Sequence, residues 1–265
     1  MSLTFPGRLI KMGETDSVVV AQIQGALTAR GYSPFEPGVF NAAMASIVKL
    51  FQAQNVDAAG RDLAIDGEVG LYTWGALFPG MPAVPASAPS TLMLQALAVA
   101  ATQEGQMEQP VGDNRGPMVD VYLRAVDINP LQGTPADRFW CMAFVYWVFK
   151  TAASSLNVPS PLPKTGGCAV HWNRSATIPK AVRIRAKDAY ADTSLVKPGL
   201  IFIYDFGGGH GHTGVVEKLL PGGQVMTIEG NTDATGSGNG VGVFRLTRRK
   251  LSDKALVGFV DYSQC

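Results

Sequence analysis

The chain has 265 residues, 46% of them hydrophobic and 16% charged, with a formal net charge of +1. That length accommodates two modest cores, the composition excludes a disordered polymer, and the near-neutral charge excludes the basic footprint of a nucleic-acid binder. Three widely spaced cysteines, Cys141, Cys168 and Cys265, argue against a disulfide framework.

From the N-terminus, Met1 to Gly13 lacks the apolar core of a secretory signal. The best apolar run, Leu92 to Thr102, is broken by Gln95 and too short to span a bilayer. A soluble protein made in the cytoplasm is therefore expected, without membrane insertion and acting outside only after release. Val18 to Arg30 carries apolar residues at Val19, Val20, Ile23, Ala26 and Leu27, a helical stripe that Gly31-Tyr32 ends. Asn41 to Gln54 repeats the pattern with Met44, Ile47, Val48 and Phe51, and a third short helix follows Gly70 with Tyr72, Trp74, Leu77 and Phe78. Gly38 and Asp66-Gly67 supply the turns. These stretches predict a three-helix bundle over residues 1–79 with two similar halves.

Pro79, Pro82, Pro85 and Pro89 alternate with Ala, Ser, Val and Gly. This predicts a semi-rigid linker over 80–90 and a second domain over 91–265. There, Thr91 to Glu104 and Pro117 to Val126 read as helices, and Arg138 to Ser154 as a helix apolar all round and hence buried. From Leu200 the pattern turns to short β runs: 200–204, 213–219, 225–229, 241–245 and 256–262. Helices followed by an antiparallel sheet predict an α+β domain. The polar stretch Glu108 to Pro117 is either a cleft rim or a connecting loop.

Three features of this domain point to nucleophilic chemistry. Cys141 stands near the start of the buried helix, where the dipole favours a thiolate and free N–H groups can hold an oxyanion. That requires the helix to begin at Asp137 or later, which is the expectation, although Thr134-Pro135 would permit an earlier start. His212 opens a β run among glycines and can serve as general base to a cysteine. Its rival is His210, and the triple glycine Gly207 to Gly209 is expected to keep the strand from reaching that far. Glu229 and Asn231, two apart on the next strand, can face the same side as His212 and orient its ring.

Two resemblances follow from these residues. Ile23-Gln24, Leu27, Gly31-Tyr32, Gly38 to Asn41, Phe51-Gln52, Asp66 to Gly70 and Thr73 to Leu77 together resemble the small helical peptidoglycan-binding domain of wall hydrolases, over residues 14 to 79. Trp140 to Val145, Gly211 to Val216 and Glu229 to Thr232, with Val196 to Ile201 and Val257 to Val260, resemble the CHAP family of papain-like cysteine amidohydrolases and peptidases, over residues 105 to 262. That second resemblance implies Cys141 as nucleophile, His212 as base, Glu229 as the group orienting it, Asn231 as an assisting polar group, no cofactor, and peptidoglycan as partner. Both muramoyl-L-alanine amidases and endopeptidases occur among such domains. The two-part architecture, expected to act as a monomer, looks like a bacteriophage endolysin, and a bacterial toxin with the same domains reads alike.

Two rival readings stand beside this one. Cys168, His171, His210 and His212 could form a zinc set, but no paired second knuckle accompanies Cys168-x-x-His171. A non-catalytic wall-binding protein would leave Cys141, His212 and Glu229 without a purpose.

Overall fold

The structure is a computed structural model of the chain and describes residues 5, 6, 8–57, 60, 62–79 and 89–265. The chain divides into two compact units, Met1–Pro85 and Ala86–Cys265. The expected linker at 80–90 falls almost wholly on residues 80–88, which lie outside those described.

In the first unit, α1 (Ser17–Thr28) starts at Asp16, whose carboxylate accepts from the N–H groups of Val18 and Val19. Helix α2 (Ala42–Gln54) starts at Asn41, which accepts from Met44 N–H at 3.0 Å, and α3 (Leu71–Leu77) follows Gly70. The apolar stripes converge on one core that includes Ile23, Leu27, Met44, Val48, Phe51, Trp74 and Leu77. The two-half pattern has a structural counterpart in a pair of buried glutamines. Gln24 donates to Glu36 O at 2.8 Å and accepts from Gly38 N at 2.9 Å, tying α1 to the turn before α2. Gln52 donates to Glu68 O at 2.9 Å and accepts from Asp66 N and Gly67 N at 3.0 and 2.9 Å, tying α2 to the turn before α3. Each amide thus bridges a helix to N–H and C=O groups of the following turn.

The second unit is α+β. It runs α4 (Thr91–Thr102), α5 (Pro117–Ala125), α6 (Cys141–Ser155), α7 (Cys168–Ser175), β1 (Val182–Arg185), α8 (Ala186–Ala191), β2 (Ile201–Gly207), β3 (His210–Leu220), β4 (Gln224–Thr232), β5 (Gly242–Lys250) and β6 (Leu256–Asp261). The strands form one six-stranded antiparallel sheet in the order β1-β6-β2-β3-β4-β5. Helix α6 packs on β3 and β4 and against α4 and α5, burying Met142, Phe144, Val145, Val148 and Phe149 completely. Each such side chain contributes roughly 1.5–3 kcal/mol of burial.

Several boundaries differ from expectation. Helix α6 starts at Cys141 rather than Arg138, because Pro135–Asp137 closes a separate 3-10 turn on Thr134. Strand β3 reaches back to His210, so the glycines do not end it. Gly207, Gly208 and Gly209 have φ of 81°, 62° and 84° and form the hairpin turn itself, with His210 paired to Gly207. Helices α7 and α8 and strand β1 were not anticipated.

Candidate active site

Cys141 is the first residue of α6 and is 2% exposed. Its place there is built by the preceding segment. The Thr134 backbone N–H and hydroxyl both donate to Asp137, each at 2.8 Å, closing the turn. Arg138 donates to Gly133 O at 2.9 Å and Asp113 O at 3.1 Å. Trp140 Nε1 donates to buried Glu108 at 2.9 Å. Asn114 donates to Pro135 O at 2.9 Å. Glu108 to Pro117 thus braces the start of α6 and contributes no side chain to the cleft described below.

His212 is fully buried on β3, and Glu229 is fully buried on β4. His212 Nε2 hydrogen-bonds Glu229 Oε2 at 2.7 Å, while Nδ1 has no hydrogen-bond partner among the described residues. Nδ1 is therefore the ring nitrogen left for Cys141, with which His212 interacts electrostatically. Two side chains that sequence reasoning did not single out complete the carboxylate's surroundings. Arg249 on β5 donates through Nε and Nη2 to the two Glu229 oxygens, at 2.8 and 2.5 Å, and Thr227 Oγ1 donates to Oε1 at 2.5 Å. The Arg249 guanidinium also lies 5.3 Å from the Tyr204 ring centroid and 5.7 Å from that of Phe202. The stretch Arg245 to Lys250 resembles a solvated basic surface in sequence. Only the pairing of β4 with β5 shows that one of its arginines turns inward.

The charge states follow from these contacts. Burial alone would raise the Glu229 pKa, but Arg249 and His212 outweigh it and hold the carboxyl down at about 2. Burial opposes charge on His212 as well, yet Cys141 and Glu229 together raise it to about 9. The Cys141 thiol is pushed well below its ordinary value by its hydrogen bond with Cys168, then by His212, against the effect of burial. Both shifts act in the direction of a thiolate–imidazolium pair.

Asn231 does not reach His212. A bulge between Glu229 and Thr232 breaks the two-residue alternation, and Asn231 takes a left-handed φ of 56°. Its amide, oriented to satisfy both ends, donates to Gly240 O at 2.8 Å and Asn114 Oδ1 at 3.0 Å, and accepts from Trp140 N at 3.3 Å. It therefore couples β4 to the start of α6.

A cleft of about 500 Å³ opens over Cys141, with Phe139, Cys168, Phe206, His210 and Ser237 among its walls. His210 meets Phe139 edge-on at 6.0 Å. The residues weighed as a zinc set do not converge. Cys168 faces Cys141, with their sulfurs 3.7 Å apart, while His171 is buried with Nε2 3.3 Å from the Tyr262 hydroxyl. Among the described residues no three His, Cys, Asp or Glu side chains are grouped to hold a metal ion. Cys265 is exposed and far along the chain from this site.

Residues 133–231 match the CHAP domain. The match takes in Cys141, Cys168, His212, Glu229 and Asn231 and stops short of Arg249. No curated protein and no solved structure matches the chain. The CHAP domain carries the implication of a cysteine- and histidine-dependent amidohydrolase or peptidase acting on peptidoglycan.

Proposed function

We propose that the second unit cleaves an amide bond of the peptidoglycan stem peptide with Cys141 as nucleophile, His212 as acid and base, and Glu229 as the group that orients His212. The observation that carries this reading is the 2.7 Å bond from His212 Nε2 to a buried carboxylate, which leaves Nδ1 for a cysteine at the first position of a helix. The thiolate attacks the amide carbonyl from the floor of the cleft. Backbone N–H groups at the start of α6 stabilise the oxyanion, and His212 protonates the leaving amine. Water, activated by the same ring, then releases the acyl group from Cys141. Asn231 acts indirectly in this scheme, holding the start of α6 through Trp140.

The same proposal assigns wall binding to the first unit, on the resemblance of its two halves to peptidoglycan-binding domains. A wall-binding unit joined to a hydrolase fits a phage endolysin, made in the host cytoplasm and acting on the wall once released.

The test is mass spectrometry of fragments released from purified peptidoglycan by the wild type and by Cys141→Ala. Stem peptides with a free L-Ala amine identify an N-acetylmuramoyl-L-alanine amidase, and split cross-links or shortened stems identify an endopeptidase. Equal cleavage by the variant would remove Cys141 from the mechanism.

A further inference from the structure

Cys168 is the one group at the nucleophile that the proposed mechanism leaves unused. It is the first residue of α7, as Cys141 is of α6, so two helix N-termini bring their thiols together. The sulfurs are 3.7 Å apart and both residues are buried. Cys168 is seated by β3: a side chain at Gly211 would place its Cβ 3.2 Å from the Cys168 Cβ. That glycine leaves the space in which the thiol lies against Cys141.

We infer that Cys168 is a positioning residue whose S–H donates to the Cys141 sulfur and helps to hold it as the thiolate. The direction of donation follows from the surroundings. Cys141 has on its other side His212, which Glu229 on β4 keeps protonated with Arg249 of β5 behind it. The remaining titratable groups on the cleft wall are His210 of β3 and Asp137 ahead of α6. Among the described residues no cation acts on Cys168 as His212 does on Cys141, so negative charge settles on Cys141 and the proton stays on Cys168. A neutral thiol is a weak donor, but its hydrogen bond strengthens when the acceptor is charged and water is excluded. The opposite displacement of the two thiols agrees with this: Cys141 is lowered and Cys168 raised, each chiefly by the other.

This assignment rests on Cys141 being the nucleophile, and its test reads the thiolate rather than turnover. The full chain, kept reduced, is alkylated with iodoacetamide across acid to alkaline pH, and the rate at Cys141 is followed by peptide mass spectrometry. In Cys168→Ala the midpoint of the rate profile should rise by about one pH unit, a tenfold loss of thiolate below the midpoint. Cys168→Val, which fills the space without a donor, should give the same shift. Cys168→Ser, whose hydroxyl donates, should return the midpoint close to that of the wild type. An unmoved midpoint in the Ala and Val chains, or a Ser chain displaced as far as they are, overturns the assignment. Wild-type protein that alkylates as expected yet leaves peptidoglycan intact would instead overturn the hydrolase reading.

Discussion

Glu229 has no exposed surface, and an ionised carboxylate is tolerable there only because Arg249, Thr227 and His212 surround it with donors. Its two neighbours of opposite charge divide the work. Towards His212 the carboxylate fixes the ring and raises its pKa to about 9 together with Cys141. In the proposed mechanism the imidazolium supplies a proton to the leaving amine, so kcat/KM on a soluble stem peptide should hold through neutral pH and fall above about 9. Glu229→Gln removes the charge that raises His212, and the alkaline limb should move down towards the ordinary histidine range. An unmoved limb would mean that another group controls it. Towards Arg249 the consequence is stability. The Glu229 pKa of about 2 lies below the 4.5 of an ordinary glutamate, so its contribution is present above 4.5 and is lost as pH falls towards 2. Arg249→Met leaves the buried carboxylate without its bidentate partner, at a cost of roughly 3–5 kcal/mol. The difference in Tm from the wild type should be large at neutral pH and shrink in acid; a constant difference would show that lost packing on Phe202 and Tyr204, not charge, accounts for it.

At the level of elements, the site depends on how closely α6 lies on β4. A Cβ on Gly230 would stand 2.7 Å from the Trp140 ring and 2.8 Å from the Phe144 Cβ, so only glycine lets the helix start sit beside Asn231 and Glu229. Gly230→Ala should lower stability by roughly 1–3 kcal/mol through overpacking. Because the strain falls at the first turn of α6, it should also lower kcat more than it raises KM. Thermal unfolding and peptide kinetics on the same sample check both, and an unchanged Tm would show that the helix yields freely. The elements that sequence patterning reveals are those with a clear apolar period or run: α1 to α5, the body of α6, and β2 to β6. The start of α6 was legible only as lying at Asp137 or later, because Thr134-Pro135 also permits an earlier start and nothing local shows that Pro135–Asp137 forms a turn of its own. Helix α7 was not, since Cys168–Ser175 is short and mixes Asn173 and Arg174 with its few apolar residues. Strand β1 alternates Val182 and Ile184 with arginines over only four residues. Cys141, His212 and Glu229 are each weak signals alone, and only their combination and chain order singles them out. Arg249 and the Cys168 contact arise from strand and helix pairings distant in sequence, and the turn of Asn231 away from His212 arises from a bulge that no two-residue period contains.

For the molecule as a whole, two units on one chain allow the proposed wall attachment and the proposed bond cleavage to be tested separately by choice of substrate. If the first unit holds the protein on the polymer, it raises the local concentration of stem peptides for the second without touching the chemistry. Gln52 offers a way to weaken the first unit from inside. Its carbonyl accepts from the N–H groups of Asp66 and Gly67, of which Asp66 N also reaches Ala64 O, so Gln52→Ala leaves the Gly67 N–H without its partner, at roughly 1–3 kcal/mol. For a unit this small that is a large share of a folding stability of about 5–15 kcal/mol. The substituted chain should cleave short soluble stem peptides at the wild-type rate, yet lose about tenfold or more on insoluble peptidoglycan as temperature approaches unfolding of the first unit. Equal losses on both substrates would show that the second unit depends on the first for its own integrity. No loss on either would show that residues 1–79 do not hold the wall, and the reason for two paired glutamine-and-turn halves would have to be sought in another ligand.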